Sequence, residues 1–170
     1  MEVVELDPLS AQQSSELADG EQQPWGAVAE ALSWREKQRH VGIRDADGRL
    51  LAVAGSLLLD VEVDGASAFP VLGIGGVLVR PSARGGGLVA PLLGALLAPP
   101  ADGLATRAML FCRPPLRAMY AKFGFAELSA EVTAEQPAGP IAMPLSTMWR
   151  PLRNGANWPP GCVEVRGLPF

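Results

Sequence analysis

A strand-like segment, residues 39–79, limits the fold of this 170-residue chain more than any other feature. Two short polar turns, at residues 45–48 and 64–65, divide it into three runs in which apolar residues dominate or alternate. Strands joined by such short turns pair in antiparallel fashion. The sequence therefore predicts an antiparallel meander whose strands span residues 40–44, 50–63 and 69–79.

Glycines are concentrated in the third of these predicted strands, at Gly73, Gly75 and Gly76. A glycine inside a strand often marks a bulge or a close approach of other atoms to the backbone. We therefore expect the sheet to be irregular here, or another part of the chain or a ligand to lie against it.

Shorter helical and strand patterns flank the meander. Further strands are predicted at residues 3–6, 106–112 and 125–132, and helices at residues 9–18, 24–34, 88–97 and 114–123. Pro24, Pro91 and Pro114 each lie in the first turn of a predicted helix, where the missing N–H breaks no helical hydrogen bond. This order of elements is that of an α/β protein.

Proline and glycine recur through residues 134–170, so this tail is expected to be mostly extended or looped. It nevertheless carries Trp149, Trp158 and Phe170. Large aromatic side chains favour burial, which argues that the tail packs on the core or on a second subunit. We therefore expect one domain, residues 1–170, with a core at 1–133 and an extension at 134–170.

Charge and cysteine content exclude several classes of function. The net charge of −4 and the pI near 5.0 provide no positive field for nucleic acid or for a membrane surface. The longest apolar stretch, residues 88–100, is too short and too rich in proline to span a bilayer. Two cysteines, Cys112 and Cys162, and one histidine, His40, predict no disulfide framework and no metal site, and favour the cytoplasm.

A basic, glycine-rich turn follows the meander. Val77-Leu78-Val79 leads into Arg84-Gly85-Gly86-Gly87, and the next predicted helix begins at Leu88. Such a turn presents main-chain N–H groups at a helix start without obstruction by side chains, and Arg84 adds a positive charge. The pattern predicts a site for a pyrophosphate-bearing cofactor, with an ordinary glycine turn as the alternative.

A second segment, Arg117-Ala118-Met119-Tyr120-Ala121-Lys122-Phe123-Gly124-Phe125, lies downstream on a predicted helix that follows a strand. Together the two segments resemble the GNAT acetyltransferase superfamily over about half of the chain. The resemblance implies a mixed, mostly antiparallel sheet with splayed central strands and helices on both faces. It also implies transfer of acetyl from acetyl-CoA to a primary amine of a small molecule or peptide, by direct attack in a ternary complex.

The resemblance also implies roles for individual residues. The strand residues that would hydrogen-bond the pantetheine arm are Val77, Leu78 and Val79. The residues that would bind the pyrophosphate are Arg84, Gly85, Gly86, Gly87, Leu88 and Val89. Tyr120 occupies the position of the general acid that protonates the departing thiolate, with a packing tyrosine on an amphipathic helix as the alternative.

The run Arg84-Gly85-Gly86-Gly87-Leu88-Val89 is similar to that of the aminoglycoside 2'-N-acetyltransferase branch. That branch places a glutamate base where this chain has Gly75, so another group must take the proton of the incoming amine. Acidic residues of the second strand and its turn are the nearest candidates by topology: Asp60, Glu62 and Asp64. Glu62 and Trp34 are our candidates for the acceptor pocket, with a solvated strand residue and a core tryptophan as the respective alternatives.

Other functions fit parts of the same pattern. Loss of the carboxylate at Gly75 is compatible with a non-catalytic acyl-CoA-binding module. The proline- and tryptophan-rich tail is compatible with an interaction domain, and because dimers are frequent in the superfamily, its aromatic residues offer a homodimer interface. Cys112 is a poor nucleophile candidate because no histidine motif activates it.

Overall fold

In a computed structural model of the chain, residues 1–98 and 103–170 are described, and they form four α-helices and ten strands of one sheet. The strands are β1 Glu2–Leu6, β2 Arg39–Arg44, β3 Leu50–Val63, β4 Phe69–Val79, β5 Arg107–Cys112, β6 Ala126–Glu127, β7 Val132–Ala134, β8 Ile141–Ala142, β9 Ser146–Pro151 and β10 Val163–Val165. The helices are α1 Ala11–Ala18, α2 Ala27–Glu30, α3 Val89–Leu97 and α4 Arg117–Ala121.

The predicted meander is confirmed, because β2, β3 and β4 pair in antiparallel order. The β2–β3 turn forms as the sequence indicates. The Asp45 carboxylate accepts hydrogen bonds from the main-chain N–H groups of Asp47 at 3.0 Å and Arg49 at 2.9 Å, and Gly48 has a φ of +80°. An aspartate that bonds its own turn and a glycine in the left-handed region are typical of such connections.

Strand β3 is the centre of the sheet because both of its edges are used along most of its length. Strand β4 covers one edge, whereas the other is shared by β2 over the first half and by β10 over residues 61–63. Beyond β4, the sheet continues through β5, β9 and β6, and beyond β10 through β7 and β8. Most pairs are antiparallel, and β4–β5 and β10–β7 are parallel.

The tail is more regular than its composition predicted. Strand β9 pairs with all of β5, from Arg107↔Pro151 to Cys112↔Ser146, and β10 pairs with β3. The prolines do not prevent this, because Pro144 precedes β9, Pro151 is its last residue, and the next prolines lie before β10. Proline is tolerated at strand ends, where its missing N–H removes no ladder bond from the interior.

Helices pack on both faces of the sheet, which confirms the predicted fold class. Leu92 of α3 is fully buried and belongs to the same core cluster as Ala52 of β3 and Ile74 of β4. Leu17 of α1 is fully buried in a separate cluster with Val53, the next residue along β3. Because successive side chains of a strand point to opposite faces, the two helices cover opposite sides.

The helix predicted over residues 24–34 is wrong. Only one turn forms, α2, and it begins after Gly26, whose φ of +90° interrupts any helix that starts at Pro24. The other helical predictions hold with shifted bounds. The helix predicted at 114–123 becomes a 3-10 turn at Pro114–Leu116 followed by α4, and the strand predicted at 125–132 becomes the separate strands β6 and β7.

Contacts with the tail explain why the chain after α2 is not helical. The Ser33 main-chain N–H donates to the Gln136 side chain at 2.8 Å, and the Ser33 carbonyl accepts from the same amide at 3.0 Å. The Arg35 main-chain N–H donates to the Pro169 carbonyl at 2.7 Å. These groups are therefore satisfied by distant residues, and an isolated short helix has little stability of its own.

Strands β4 and β5 pair over a short stretch only. In the described part of the chain, their parallel register covers Leu72↔Ala108, Gly73↔Met109 and Ile74↔Leu110. Beyond this point β4 carries a bulge against β3, where the pairing passes from Gly55↔Gly75 to Val53↔Leu78, and Gly76 adopts a φ of +61°. The predicted irregularity at the glycines is thus confirmed, and a wedge opens between the two strands.

The packing of α3 makes a stability prediction. Replacement of the fully buried Leu92 by Ala should lower the free energy of unfolding by about 2–5 kcal/mol, because it leaves a cavity under the helix. Gly94→Ala on the same helix meets no atom within 4 Å and is the matched control. It should be neutral or stabilising by up to about 1 kcal/mol. Urea unfolding measures both, and equal midpoints would contradict the assigned core.

Candidate active site

A cavity of about 420 Å³ lies where β4 and β5 diverge. One side is formed by Gly75, Gly76 and Val77 of β4, and another by Cys112 of β5 with Tyr120 of α4. The remaining lining residues come from β4, from the segment around α2 and before β2, from β5 and the turn that follows it, and from the tail: Ile74, Pro24, Trp25, Ala29, Glu30, Leu32, Trp34, Lys37, Phe111, Arg113, Leu116, Leu145 and Phe170. The cavity thus joins the wedge to parts of the chain that are distant in sequence.

The glycine turn lies between β4 and α3 and has the geometry of an anion site. Gly85 and Gly87 adopt φ values of +79° and +73°, which L side chains rarely adopt, and no atom lies within 4 Å of a Cβ built on either. Among the described residues, the main-chain N–H groups of Gly85, Gly87, Leu88 and Val89 have no backbone acceptor. Unpaired N–H groups at a helix N-terminus attract anions.

Arg84 is held at the edge of this turn. Its Nε donates to the Val79 carbonyl at 3.1 Å, and its guanidinium forms an ion pair with Glu21. The hydrogen bond from Arg84 lowers the pKa of the Glu21 carboxyl below its ordinary value. Both side chains are partly exposed, so an incoming anion would compete with Glu21 for Arg84.

Tyr120 is buried and lines the cavity from α4. Its ring lies edge-on to Phe125, with centroids 6.2 Å apart and planes at 72°. Burial, and secondarily the neighbouring Cys112, raise the pKa of Tyr120 above its ordinary value. The phenol therefore stays protonated at neutral pH and remains a proton donor.

Cys112 faces the same cavity, but its thiol is not a nucleophile. Burial raises the pKa of Cys112 to about 11, and the opposing effect of Arg117 is smaller. Since the thiolate is the reactive form, almost none is present at neutral pH.

Of the two residues assigned to the acceptor pocket, the structure places one in the cavity. Trp34 lines it, with the indole N–H donating to the Ala29 carbonyl at 2.6 Å. Glu62 lies near the other end of β3, opposite Glu164 of β10, and forms an ion pair with Arg166. It is not among the residues that line the cavity.

Lys37 is a cavity residue that sequence reasoning missed. Its side chain crosses the sheet over Gly55 and Gly75, which are register partners in β3 and β4. A Cβ at Gly75 would lie 2.9 Å from Lys37 Cε and 3.0 Å from the Phe170 main-chain carbon, so a side chain at position 75 would displace one of them. The only available signal was that Lys37 is one of two lysines in the chain.

Comparisons with known proteins agree with this geometry. Residues 11–128 match the family model of the acetyltransferase (GNAT) domain. The chain belongs to the GNAT acetyltransferase family. No curated protein sequence shows significant similarity to it.

Solved GNAT structures share the fold at low sequence identity. YhbS of Escherichia coli, an N-acetyltransferase in complex with CoA, is 18% identical with a TM-score of 0.57, over 96% of this chain and 88% of that chain. An aminoglycoside 6'-N-acetyltransferase complexed with CoA is 14% identical with a TM-score of 0.57, over 92% and 100%. The ribosomal-protein-S18-alanine N-acetyltransferase of E. coli is 16% identical with a TM-score of 0.56, over 92% and 99%.

As a GNAT acetyltransferase, the chain uses acetyl-CoA as its co-substrate. Within residues 1–98 and 103–170, no three His, Cys, Asp or Glu side chains are grouped so as to hold a metal ion. None of the helices in the same residues combines the length and the apolar content that a membrane span requires.

Proposed function

We propose that this protein is an N-acetyltransferase that transfers acetyl from acetyl-CoA to a primary amine by direct attack in a ternary complex. One observation carries the proposal: the wedge between β4 and β5 leads at one end to the glycine turn and at the other to a cavity that contains a protonated phenol. Such a wedge can hold a long, thin co-substrate between an anion site and a proton donor.

The co-substrate would lie along β4. Beyond Ile74, no described residue of β5 pairs with β4, so the main-chain groups of Val77 and the N–H of Val79 can pair with the amide groups of pantetheine. The Val79 carbonyl already accepts from Arg84 Nε. The Arg84 guanidinium and the four unpaired N–H groups of the glycine turn, those of Gly85, Gly87, Leu88 and Val89, would hold the pyrophosphate. The thioester then enters the cavity near Tyr120.

The chemistry needs one proton donor for sulfur. The amine nitrogen bonds to the acetyl carbon, the carbon–sulfur bond breaks, and Tyr120 donates its proton to the departing thiolate. The amine attacks in its neutral form, and the proton that its nitrogen loses after the attack returns to the Tyr120 phenolate, directly or through solvent. The products are an N-acetyl amide and free CoA, and the phenol is restored. The low-polarity surroundings that raise the pKa of Tyr120 keep it protonated before the reaction. They also disfavour a free thiolate in the same site, which favours transfer of the proton to sulfur.

Tyr120→Phe tests the acid directly. We expect turnover to fall by about 100-fold or more, because the proton donor is lost while the ring is kept. Acetyl-CoA affinity should not change. Thiol release measures turnover, and calorimetry measures the affinity for acetyl-CoA. Met119→Leu, on the same helix, is the control variant and should retain activity. Full turnover of Tyr120→Phe at every pH tested would remove this assignment.

Arg84 and Glu21 provide a paired test of the pyrophosphate site. Arg84→Ala should weaken acetyl-CoA binding by about 10-fold or more, as expected for loss of a hydrogen bond to a charged group. Glu21→Ala should bind at least as tightly as the wild type, because it releases the Arg84 guanidinium. Calorimetric titration at low and high salt measures both. Unchanged affinity of Arg84→Ala would show that the main-chain amides hold the phosphates without it.

A non-catalytic acyl-CoA-binding module is the second candidate. It is favoured by Gly75, which supplies no carboxylate and whose side-chain space is occupied by Lys37 and Phe170. Tight acetyl-CoA binding without thiol release on any amine would support this alternative.

A further inference from the structure

The walls of the cavity are dominated by aromatic rings. Trp34, Phe111 and Phe170 form a continuous series, with ring centroids 6.3 Å apart for the first pair and 4.9 Å for the second. Trp25, which is 36% exposed, lies at the rim. Such a surface binds a flat apolar group, because ring pairs at these distances gain energy beyond the burial of area alone.

Lys37 is the half-buried charged side chain of the cavity. The two other charged residues of the lining, Glu30 and Arg113, are exposed, and Arg113 extends over Gly26. Within the described residues, Lys37 makes no ion pair, and its ammonium donates one hydrogen bond, to the Arg35 carbonyl at 3.2 Å. An ammonium has three N–H groups, so two remain for a ligand.

This arrangement discriminates between classes of amine. A half-buried cation is costly unless an anion pairs with it, and an anionic group on the acceptor would provide that pair. A second cation beside Lys37 would instead add repulsion in surroundings of low polarity. The cavity therefore favours an acceptor with one amine, one anionic group and an aromatic body, and disfavours a polycation.

We propose that the acceptor is an α-amino acid with an aromatic side chain, whose ring lies against Trp34 and Phe111 and whose carboxylate pairs with Lys37. The inference rests on the proposed acetyl transfer, and it identifies the amine of that reaction. The α-amino group would then face Val77 and Tyr120, where the thioester carbon and the proton donor meet.

The ionisation of Lys37 fits this role. Burial lowers the pKa of Lys37 to about 8, so it is still mainly a cation at neutral pH and becomes neutral as pH rises through that value. The pKa of His40 is lowered by burial first and by the Lys37 charge second, so His40 is neutral at the same pH and adds no second cation. Around the Lys37 side chain and along the cavity, the titratable and charged side chains are His40, Glu30, Arg113, Cys112 and Tyr120. The main-chain carboxyl of Phe170 also faces Lys37, since its carbon and Lys37 Cε lie 3.0 Å and 2.9 Å from a Cβ built at Gly75, but within the described residues the two form no ion pair.

Matched substrates test the proposal without any mutation. Tryptophan and tryptamine differ by the carboxylate alone, as do phenylalanine and phenethylamine. Thiol release should give a kcat/KM for each amino acid about 10-fold or more above that of its decarboxylated partner, the size expected of one charged hydrogen bond. Kanamycin, a polycation, should be the poorest acceptor. Equal or better use of tryptamine or kanamycin would overturn the proposal.

Lys37 variants separate a specific contact from a structural role. Lys37→Met should lower kcat/KM for tryptophan by about 10- to 100-fold and leave tryptamine nearly unchanged. Lys37→Arg should retain part of the preference, and Lys122→Met, at the other lysine, should match the wild type. An equal loss on both substrates in Lys37→Met would contradict pairing with the carboxylate.

The pH dependence gives an independent readout. In the wild type, the tryptophan-to-tryptamine ratio of kcat/KM should fall as pH rises through the Lys37 pKa of about 8. In Lys37→Arg, whose guanidinium stays charged, that fall should disappear. The same fall in both proteins would overturn the role of Lys37.

The five amines also distinguish failure of the acceptor assignment from failure of the proposed acetyl transfer. Release of thiol with tryptamine or kanamycin, but with neither amino acid, refutes the acceptor assignment and leaves acetyl transfer intact. Binding of acetyl-CoA without thiol release on any of the five amines refutes both.

Discussion

The early divergence of β4 from β5 is the constraint on which the rest of the structure depends. Three residue pairs hold the strands together, after which Gly76 bulges and the two strands separate. Unpaired main-chain groups within a sheet are costly unless another partner satisfies them. Each wall of the wedge is instead fixed by its own antiparallel neighbour, β3 for β4 and β9 for β5. The opening is therefore a stable feature into which a co-substrate can fit.

The same divergence connects the glycine turn with the cavity. Strand β4 ends at the glycine turn and α3, whereas its bulged middle forms the floor of the cavity. Gly55 and Gly75 are paired across the sheet and leave a path along which Lys37 reaches that floor. A side chain at position 75 would occupy the space that Lys37 and Phe170 fill, so the site has room for Lys37 because residue 75 is glycine.

Local patterns in the sequence predicted the parts of the fold that local forces determine. The bounds of β3 and β4 follow from alternation and turn residues, and the glycine turn and Tyr120 belong to short contiguous motifs. What was missed depends on distant partners: Gln136 fixes the backbone at Ser33, and β5 selects β9. Lys37 and Phe170 likewise meet at Gly75 only in the folded chain. Glu62 was predicted near the site from the order of the strands alone, and it does not line the cavity.

Hydrogen–deuterium exchange with and without acetyl-CoA tests the central claim, that the wedge and the glycine turn together hold the co-substrate. Exchange should slow most, and by more than any uniform slowing, at the amides of Val77, Val79, Gly85, Gly87, Leu88 and Val89. These N–H groups would gain acceptors from the co-substrate. The amides of β10, which lie outside the wedge between β4 and β5, serve as the internal reference. Protection confined to other segments, or equal across the whole chain, would contradict the account.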